Sequence, residues 1–114
     1  MLNSMAKRIS YDMENDILAV HKGFSSDERF KSNIDAGDFV LDISTKERVR
    51  GIEVMNASKF FKEFKIGREM LENIENADFN ATIKPDSIIV SIVIKSRDLK
   101  EEMPVKIAVP LAVC

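Results

Sequence analysis

The stretch Val49–Ser58, which reads VRGIEVMNAS, joins a strand pattern to a helix start. Ile52 and Val54 alternate with Gly51 and Glu53, and this alternation is typical of a strand with one buried face. Asn56 and Ser58 favour a helix N-cap, because their side chains can accept a bond from an unpaired N–H of the first turn. The stretch therefore predicts a strand that runs directly into a helix.

Short apolar or alternating segments before Met55 predict successive antiparallel strands of a meander. Polar residues at 12–16 and 44–47 suit the hairpin turns between them. The segment Gly23 to Asp35 is expected to be a loop that leads into a short edge strand. The segments with strand character are Ile9 to Tyr11, Ile17 to Val20, Phe39 to Ile43 and Val49 to Met55.

After Met55 the apolar spacing changes to three and four, which predicts helix. Ala57, Phe60, Phe61 and Phe64 form a first apolar stripe, and Gly67 interrupts it. A second stripe contains Met70, Leu71, Ile74 and Ala77. The pattern fits one kinked helix or two short ones.

Three further strands are predicted at the C-terminal end. Phe79 to Ile83 alternates, and Ile88 to Ile94 is apolar nearly throughout, as in a central strand covered on both faces. Val105 to Val113 puts its apolar residues on one face, while Pro104 and Pro110 place it at an edge.

We therefore expect residues 1–114 to form a single α+β domain. Its main feature is a largely antiparallel, curved β-sheet, a meander or roll, packed on a central helix of one or two parts. A C-terminal three-stranded extension completes it.

Composition gives little direction about partners. Seventeen basic and nineteen acidic residues leave a net charge of -2, which does not favour attraction to DNA or anionic membranes. Cys114 is the single cysteine, so an intramolecular disulfide is impossible. Residues 1–8 lack the apolar core of a signal peptide, and the apolar runs are too short to span a bilayer. We expect a cytoplasmic protein.

Three segments, in this order, resemble the family of small prokaryotic proteins catalogued as domain of unknown function 2283. They are Tyr11-Asp12-Met13-Glu14-Asn15-Asp16, Phe39-Val40-Leu41-Asp42, and Gly51-Ile52-Glu53-Val54 followed by Asn56-Ala57-Ser58. The resemblance covers roughly residues 8 to 60. Asn56 stands where the family pattern has Asp. The resemblance implies a small β-rich cytoplasmic protein with an extension from residue 66, and it hints at protein–protein interaction.

Asp12, Glu14 and Asp16 place carboxylates at alternate positions, as in the start of a calcium loop. A calcium-binding loop also needs glycine at its sixth position and glutamate at its twelfth, where this chain has Ile17 and Gly23. A hairpin turn with solvated carboxylates is the better interpretation.

Asp42 and Glu53 could form a carboxylate pair for acid–base chemistry or ligand binding in a pocket beside the helix, if neighbouring strands bring them together. Exposed strand positions are the commoner explanation for such residues. His21, the single histidine, is expected to be an ordinary polar residue at a strand end. Gly51 is interpreted as a bulge or a point of close approach.

The segment Lys59–Arg68 interleaves basic and aromatic residues, a composition that can bind nucleic acid. Its phenylalanines fall at helical core spacing, however, so a core helix with a solvated charged face is favoured.

No pattern assigns a catalytic, cofactor-binding or metal-ligating residue, and no cofactor is predicted. The leading hypothesis is a non-catalytic interaction module that forms a homo-oligomer or binds a small protein, using the edge-like last strand. The alternative is a small-ligand-binding protein or enzyme that uses Asp42 and Glu53. Nucleic-acid binding through Lys59–Arg68 is the third hypothesis.

Overall fold

The computed structural model describes residues 8–97 and 103–110, with two short helices and antiparallel strands in two sheets. The predicted α+β class, mainly antiparallel, is confirmed. The elements are β1 Arg8–Asp12, β2 Ile17–His21, β3 Phe30–Ala36, β4 Phe39–Ser44, β5 Val49–Met55, α1 Ala57–Lys62, α2 Arg68–Glu72, β6 Ile74–Ile83, β7 Ser87–Ser96 and β8 Met103–Pro110.

The first sheet has the strand order β1-β2-β5-β4-β3, so it is not the simple meander that the sequence predicts. Neighbouring hairpins form as expected, but β2 pairs with β5 rather than β3. The segment between His21 and Phe30 carries the chain to the far edge of the sheet. There β3 is an edge strand that follows a loop, as predicted.

The inner strands β2, β4 and β5 bury alternate residues on one face, whereas the edge strands β1 and β3 are at most half-buried. The buried side chains from β2, β4 and β5 are Leu18, Val20, Leu41, Ile43, Ile52 and Val54. They belong to one hydrophobic cluster that also contains Ala57 and Phe61 of α1, Leu71 of α2 and residues of the second sheet.

The helical region consists of two short helices. Lys65 has a φ of 61°, in the left-handed region, so the helix cannot continue through it. Gly67 is the residue before α2. The second predicted stripe is only partly helical, because Ile74 and Ala77 lie in β6.

The second sheet has the order β6-β7-β8 and confirms the predicted three-stranded extension. β7 is central, with Ile88, Val90, Ile92 and Ile94 buried and its other face half-buried. β8 is an edge strand, as the prolines predict. Leu111, Val113 and Cys114 lie outside the described residues. Among the described helices, neither has the length and apolar character needed to cross a membrane.

Candidate functional site

A row of side chains crosses the first sheet on the face opposite its buried residues. Strand register places Arg8 opposite His21, His21 opposite Gly51, Gly51 opposite Asp42, and Asp42 opposite Asn33. Because alternate strand residues point to opposite faces, all five lie away from Leu18, Ile52 and the other core residues. The row therefore brings polar residues of four strands, with Gly51 of the fifth between them, to one surface.

Gly51 contributes no side chain to this row, and the side chains of His21 and Asp42 occupy the space that one would need. A Cβ at this position would lie 2.5 Å from His21 Cδ2 and 2.8 Å from Asp42 Oδ2, closer than such atoms approach one another. The ladder between β4 and β5 also shifts its register at Asp42–Ile43. The interpretation of Gly51 as a close approach beside a bulge is confirmed, and it lets the His21 and Asp42 side chains converge.

Both nitrogens of His21 have defined surroundings. Nδ1 accepts a hydrogen bond from the Gly23 backbone N–H at 2.7 Å, so the neutral ring carries its proton on Nε2. Nε2 lies 3.7 Å from Asp42 Oδ2. The ring also makes an edge contact with Phe24, with 5.1 Å between centroids. His21 is thus held at the strand end that the sequence predicts, in an orientation that presents an N–H donor.

These residues line a half-open groove of about 590 Å³, here called the sheet-face groove. Both predicted carboxylates, Asp42 and Glu53, line it. Glu53 lies two residues from Gly51, the partner of Asp42, so the two are diagonal neighbours on adjacent strands. The structure therefore brings the predicted pair together, but on the sheet face away from the core rather than beside a helix. The lining residues are Arg8, Ser10, Ala19, Val20, His21, Gly23, Phe24, Asp42, Ile52 and Glu53.

The two carboxylates differ in their surroundings. Asp42 accepts a hydrogen bond from Asn33 Nδ2, and its side chain is 29% exposed. Glu53 is exposed and has no hydrogen bond or ion pair with the other described residues. A bound molecule could therefore use both oxygens of Glu53 and one face of Asp42 as acceptors.

Asp16, the last residue of the Tyr11–Asp16 segment, caps α1 although it lies 42 residues before Ser58 in the sequence. Its backbone carbonyl accepts the Ala57 N–H, and its carboxylate accepts the Ser58 N–H at 3.0 Å and the Ser58 hydroxyl at 2.7 Å. Asn56 occupies the predicted N-cap position but makes no side-chain cap bond, because its amide donates to Asp38. The predicted capping by the Asn56 or Ser58 side chain is therefore replaced by Asp16.

Tyr11 and Arg68 complete this capping cluster, which consists of Tyr11, Asp16, Ser58 and Arg68. The Tyr11 hydroxyl donates to Asp16, and Arg68 Nε donates to Tyr11 at 3.3 Å. Burial raises the pKa of Tyr11, and its bond to Asp16 raises it further. Burial opposes ionisation of Asp16, but the bonds from Tyr11 and Ser58 outweigh it and lower the pKa of Asp16.

The three carboxylates of the first turn do not converge. Asp12 accepts the N–H groups of Glu14 and Asn15, both at 3.0 Å, which makes the predicted hairpin turn. Asp16 faces Ser58 instead, so it is not a solvated turn carboxylate as expected. Across residues 8–97 and 103–110, no three histidine, cysteine or carboxylate side chains are grouped to hold a metal ion.

The sequence interpretation missed a buried carboxylate, Glu28, whose side chain is fully buried. Arg48 donates to it through two nitrogens, at 3.0 and 2.6 Å, and the Ser44 hydroxyl donates at 2.6 Å. The Ser25 N–H donates at 3.0 Å, and the one Ser25 hydroxyl hydrogen is shared between Glu28 at 3.0 Å and Asp27 at 2.8 Å. The bonds from Arg48 hold the pKa of Glu28 well below its usual range. This Glu28 network anchors the loop before β3 to the β4–β5 turn.

The aromatic residues of Lys59–Arg68 are part of the hydrophobic cluster. Phe61 is fully buried, and Phe60 and Phe64 pack against the core. Phe60 contacts Phe39, Phe61 and Phe64 through ring edges or tilted faces at 4.9 to 5.4 Å. These rings serve packing, as the core-helix interpretation predicts.

Residues 8–58, which hold both the groove and most of the capping cluster, match the sequence profile of a family described as protein of unknown function, DUF2283. An uncharacterized protein of Methanocaldococcus jannaschii is 34% identical over 88 residues, which are 77% of this chain and 72% of that protein. The chain belongs to the DUF2283 family. The resemblance seen in the sequence is confirmed.

A second relative comes from Methanosarcina mazei, and its name assigns it provisionally to the hypoxanthine phosphoribosyltransferases. It is 27% identical over 85 residues, which are 75% of this chain and 64% of that protein. This chain therefore spans less than two thirds of the M. mazei protein. No solved structure matches the chain.

The DUF2283 segment coincides with the first sheet and the start of α1. Arg8, His21, Asp42, Gly51 and Glu53 all fall within it, whereas the second sheet lies beyond it. The sheet-face groove is thus a feature of the part of the chain that carries the family resemblance.

Proposed function

We propose that this DUF2283 protein binds a small organic molecule in the sheet-face groove. One observation carries the proposal: because Gly51 has no side chain, His21 and Asp42 converge beside it, and both line the groove together with Glu53. A volume of about 590 Å³ falls within the range of small-molecule sites.

The lining residues define the chemistry of the ligand. Asp42 and Glu53 are acceptors that suit an amino group or hydroxyl groups. Arg8 stands at the other side of the row and suits a negatively charged group, and Phe24 offers an apolar wall. A small molecule with an amino group and an acidic group, such as an amino acid, complements these residues.

Binding fits the geometry better than proton transfer. The His21 nitrogen that could act as a base, Nδ1, already accepts the Gly23 N–H. The other nitrogen presents a hydrogen to Asp42 and the groove. This arrangement supports ligand recognition, and the protein is proposed to act without catalysis.

The proposal is tested by titrating a ¹⁵N-labelled sample and recording the chemical shifts of its backbone amides. The compounds added are the proteinogenic amino acids, aliphatic amines and hypoxanthine. Hypoxanthine is included because of the name of the M. mazei relative. We expect shifts confined to β2, β4 and β5 around His21, Asp42 and Glu53. If every compound leaves these amides unchanged at millimolar concentration, the proposal is wrong.

Matched variants identify the groups that bind. Asp42→Asn and Glu53→Gln remove the charge of groove carboxylates, whereas Asp35→Asn removes an exposed carboxylate of β3 that does not line the groove. We expect at least tenfold weaker binding for the first two variants and an unchanged affinity for the third. Equal effects of all three would show that only net charge matters.

Self-association is a second candidate function, and the edge strands favour it. β3 and β8 are both at sheet edges, and Phe30 on β3 is 51% exposed. Edge strands offer backbone groups to a second chain. Sedimentation velocity should show a dimer fraction that rises with concentration and falls in Phe30→Lys. A strict monomer at millimolar concentration would contradict this candidate.

A further inference from the structure

A second cleft, of about 280 Å³, lies where the first sheet meets β6, and we call it the junction cleft. It is separate from the sheet-face groove, with no lining residue in common. Three of its lining residues are cations. The lining residues are Lys22, Glu47, Arg48, Val49, Arg50, Asn80, Ala81 and Ile83.

Two of the cations share one carboxylate. Arg48 binds Glu28 through two nitrogens, and Arg50 Nε lies 3.6 Å from the same carboxylate. The Arg50 side chain is only 9% exposed. Because one carboxylate cannot neutralise two guanidinium groups, positive charge remains beside the buried Arg50 and the half-exposed Arg48.

Arg50 also has donor capacity left over. Its Nε donates to the Gly23 carbonyl at 2.8 Å, and Nη2 makes a long contact of 3.5 Å with the Lys22 carbonyl. Nη1 has no partner among the described residues, yet it is not a buried unsatisfied atom. It must therefore reach solvent, and Arg50 lines the junction cleft.

Lys22 adds a third positive charge to the lining of the cleft. Its Nζ lies 4.6 Å above the centre of the Phe79 ring and 3.9 Å from Asp78, a residue that is 53% exposed. The acidic residue of the cleft itself, Glu47, is bonded to Lys31. The carboxylates near the cleft are thus each engaged with a cation.

We propose that the junction cleft binds the phosphate group of a small phosphomonoester. A dianionic phosphate offers enough acceptor oxygens for Arg48, Arg50 and Lys22 together, whereas a carboxylate has one charge and two oxygens. The volume exceeds that of phosphate alone, and Val49, Ala81 and Ile83 provide apolar wall for a short organic group.

The test is a titration of the full chain, followed by amide chemical shifts, with inorganic phosphate, glycerol 3-phosphate and a thymidine octanucleotide without terminal phosphate. Sodium chloride at matched ionic strength is the reference. We expect both phosphate compounds to shift the amides of Lys22, Arg50 and Asn80, and glycerol 3-phosphate to bind more tightly. No shift with either compound, or stronger binding of the octanucleotide at the same amides, would overturn the proposal.

Variants that remove either a positive or a negative charge from the cleft distinguish a specific binding site from general electrostatic attraction. Lys22→Met keeps the apolar stem over Phe79 and should weaken phosphate binding about tenfold, which is about 1.4 kcal/mol. Glu47→Gln removes the negative charge of the cleft and should strengthen binding severalfold. Lys59→Gln, an exposed lysine of α1, should leave the affinity unchanged.

If Lys22→Met and Lys59→Gln weaken phosphate binding equally, net charge alone attracts the phosphate and the proposal is wrong. Glu47→Gln serves as an independent test if Lys22→Met fails to fold, because unchanged or weaker binding in that variant also contradicts the proposal. Because the amide of Asn80 in β6 and the Lys22→Met variant report on the junction cleft and not on the sheet-face groove, either proposal can fail without the other.

Discussion

Replacement of Glu28 by glutamine should destabilise the protein strongly at neutral pH. The carboxylate accepts five hydrogen bonds, from Ser25 N–H, the Ser25 and Ser44 hydroxyls, and two Arg48 nitrogens. Glutamine has the same size but places an NH₂ group against some of these donors. Breaking a buried ion pair by removing one partner costs about 3–5 kcal/mol. The Arg48 side chain is 49% exposed, so water screens part of the interaction and about 3 kcal/mol is expected.

The destabilisation should depend on pH in one direction. The folded-state pKa of Glu28 is lowered, chiefly by Arg48, whereas the unfolded value is about 4.3. A lowered pKa gives stability that is complete above the unfolded value and is lost as the pH falls toward the folded value. The difference between wild type and Glu28→Gln should therefore be constant from pH 6 to 8 and shrink below about pH 4.

Urea unfolding followed by far-ultraviolet circular dichroism measures this difference. With an m value of about 1.5 kcal/mol/M, the neutral-pH midpoint should fall by about 2 M. Other carboxylates with lowered pKa, such as Asp16, are present in both proteins and cancel in the comparison. Glu14→Gln, an exposed turn residue, is the control. A difference under about 0.5 kcal/mol, or one that persists unchanged to pH 3, would refute the reasoning.

Two further predictions concern the family motifs. Tyr11 is the single tyrosine, so absorbance titration should give its pKa directly, and burial and Asp16 should hold that pKa above the ordinary value of about 10. Asp16→Asn should lower the pKa of Tyr11. The same variant should reduce the free energy of unfolding by about 1 kcal/mol, because it weakens the α1 cap. A tyrosine pKa that Asp16→Asn leaves unchanged would contradict the bond. Gly51→Ala should cost about 1–3 kcal/mol in urea unfolding, because its Cβ meets His21 and Asp42, and should abolish ligand shifts in the groove. An alanine variant as stable as wild type would show that the close approach of His21 and Asp42 to Gly51 does not require glycine.

Local patterns were sufficient to predict most elements of the fold. The alternation through Ile52 and Val54, the apolar run of β7 and the prolines of β8 each act within a few residues. Such signals identify a strand, its buried face and its place in a sheet. The role of Gly51 could also be predicted, because glycine inside a strand often marks a bulge or a close approach of another group.

The missed features all depend on contacts between distant residues. Asp16 caps a helix 42 residues away, and Glu28 binds Arg48 from a loop 20 residues away. Neither spacing has a periodic signal, since the first pairing requires β2 beside β5 and the second requires β3 beside β4. The pairing of β2 with β5 also brings His21 beside Gly51. The contribution of His21 to the groove therefore could not be predicted from the sequence.

The residues that carry the family resemblance divide into two groups with different physical explanations. Tyr11, Asp16 and Ser58 bond one another, so folding alone accounts for them. Glu53 instead occupies a strand interior, where β-branched residues are better suited. Glu53 gains no bond within the described residues that would offset this loss. Residues that lower strand stability while shaping a groove are expected where function opposes stability, which is the reason for placing the binding site there.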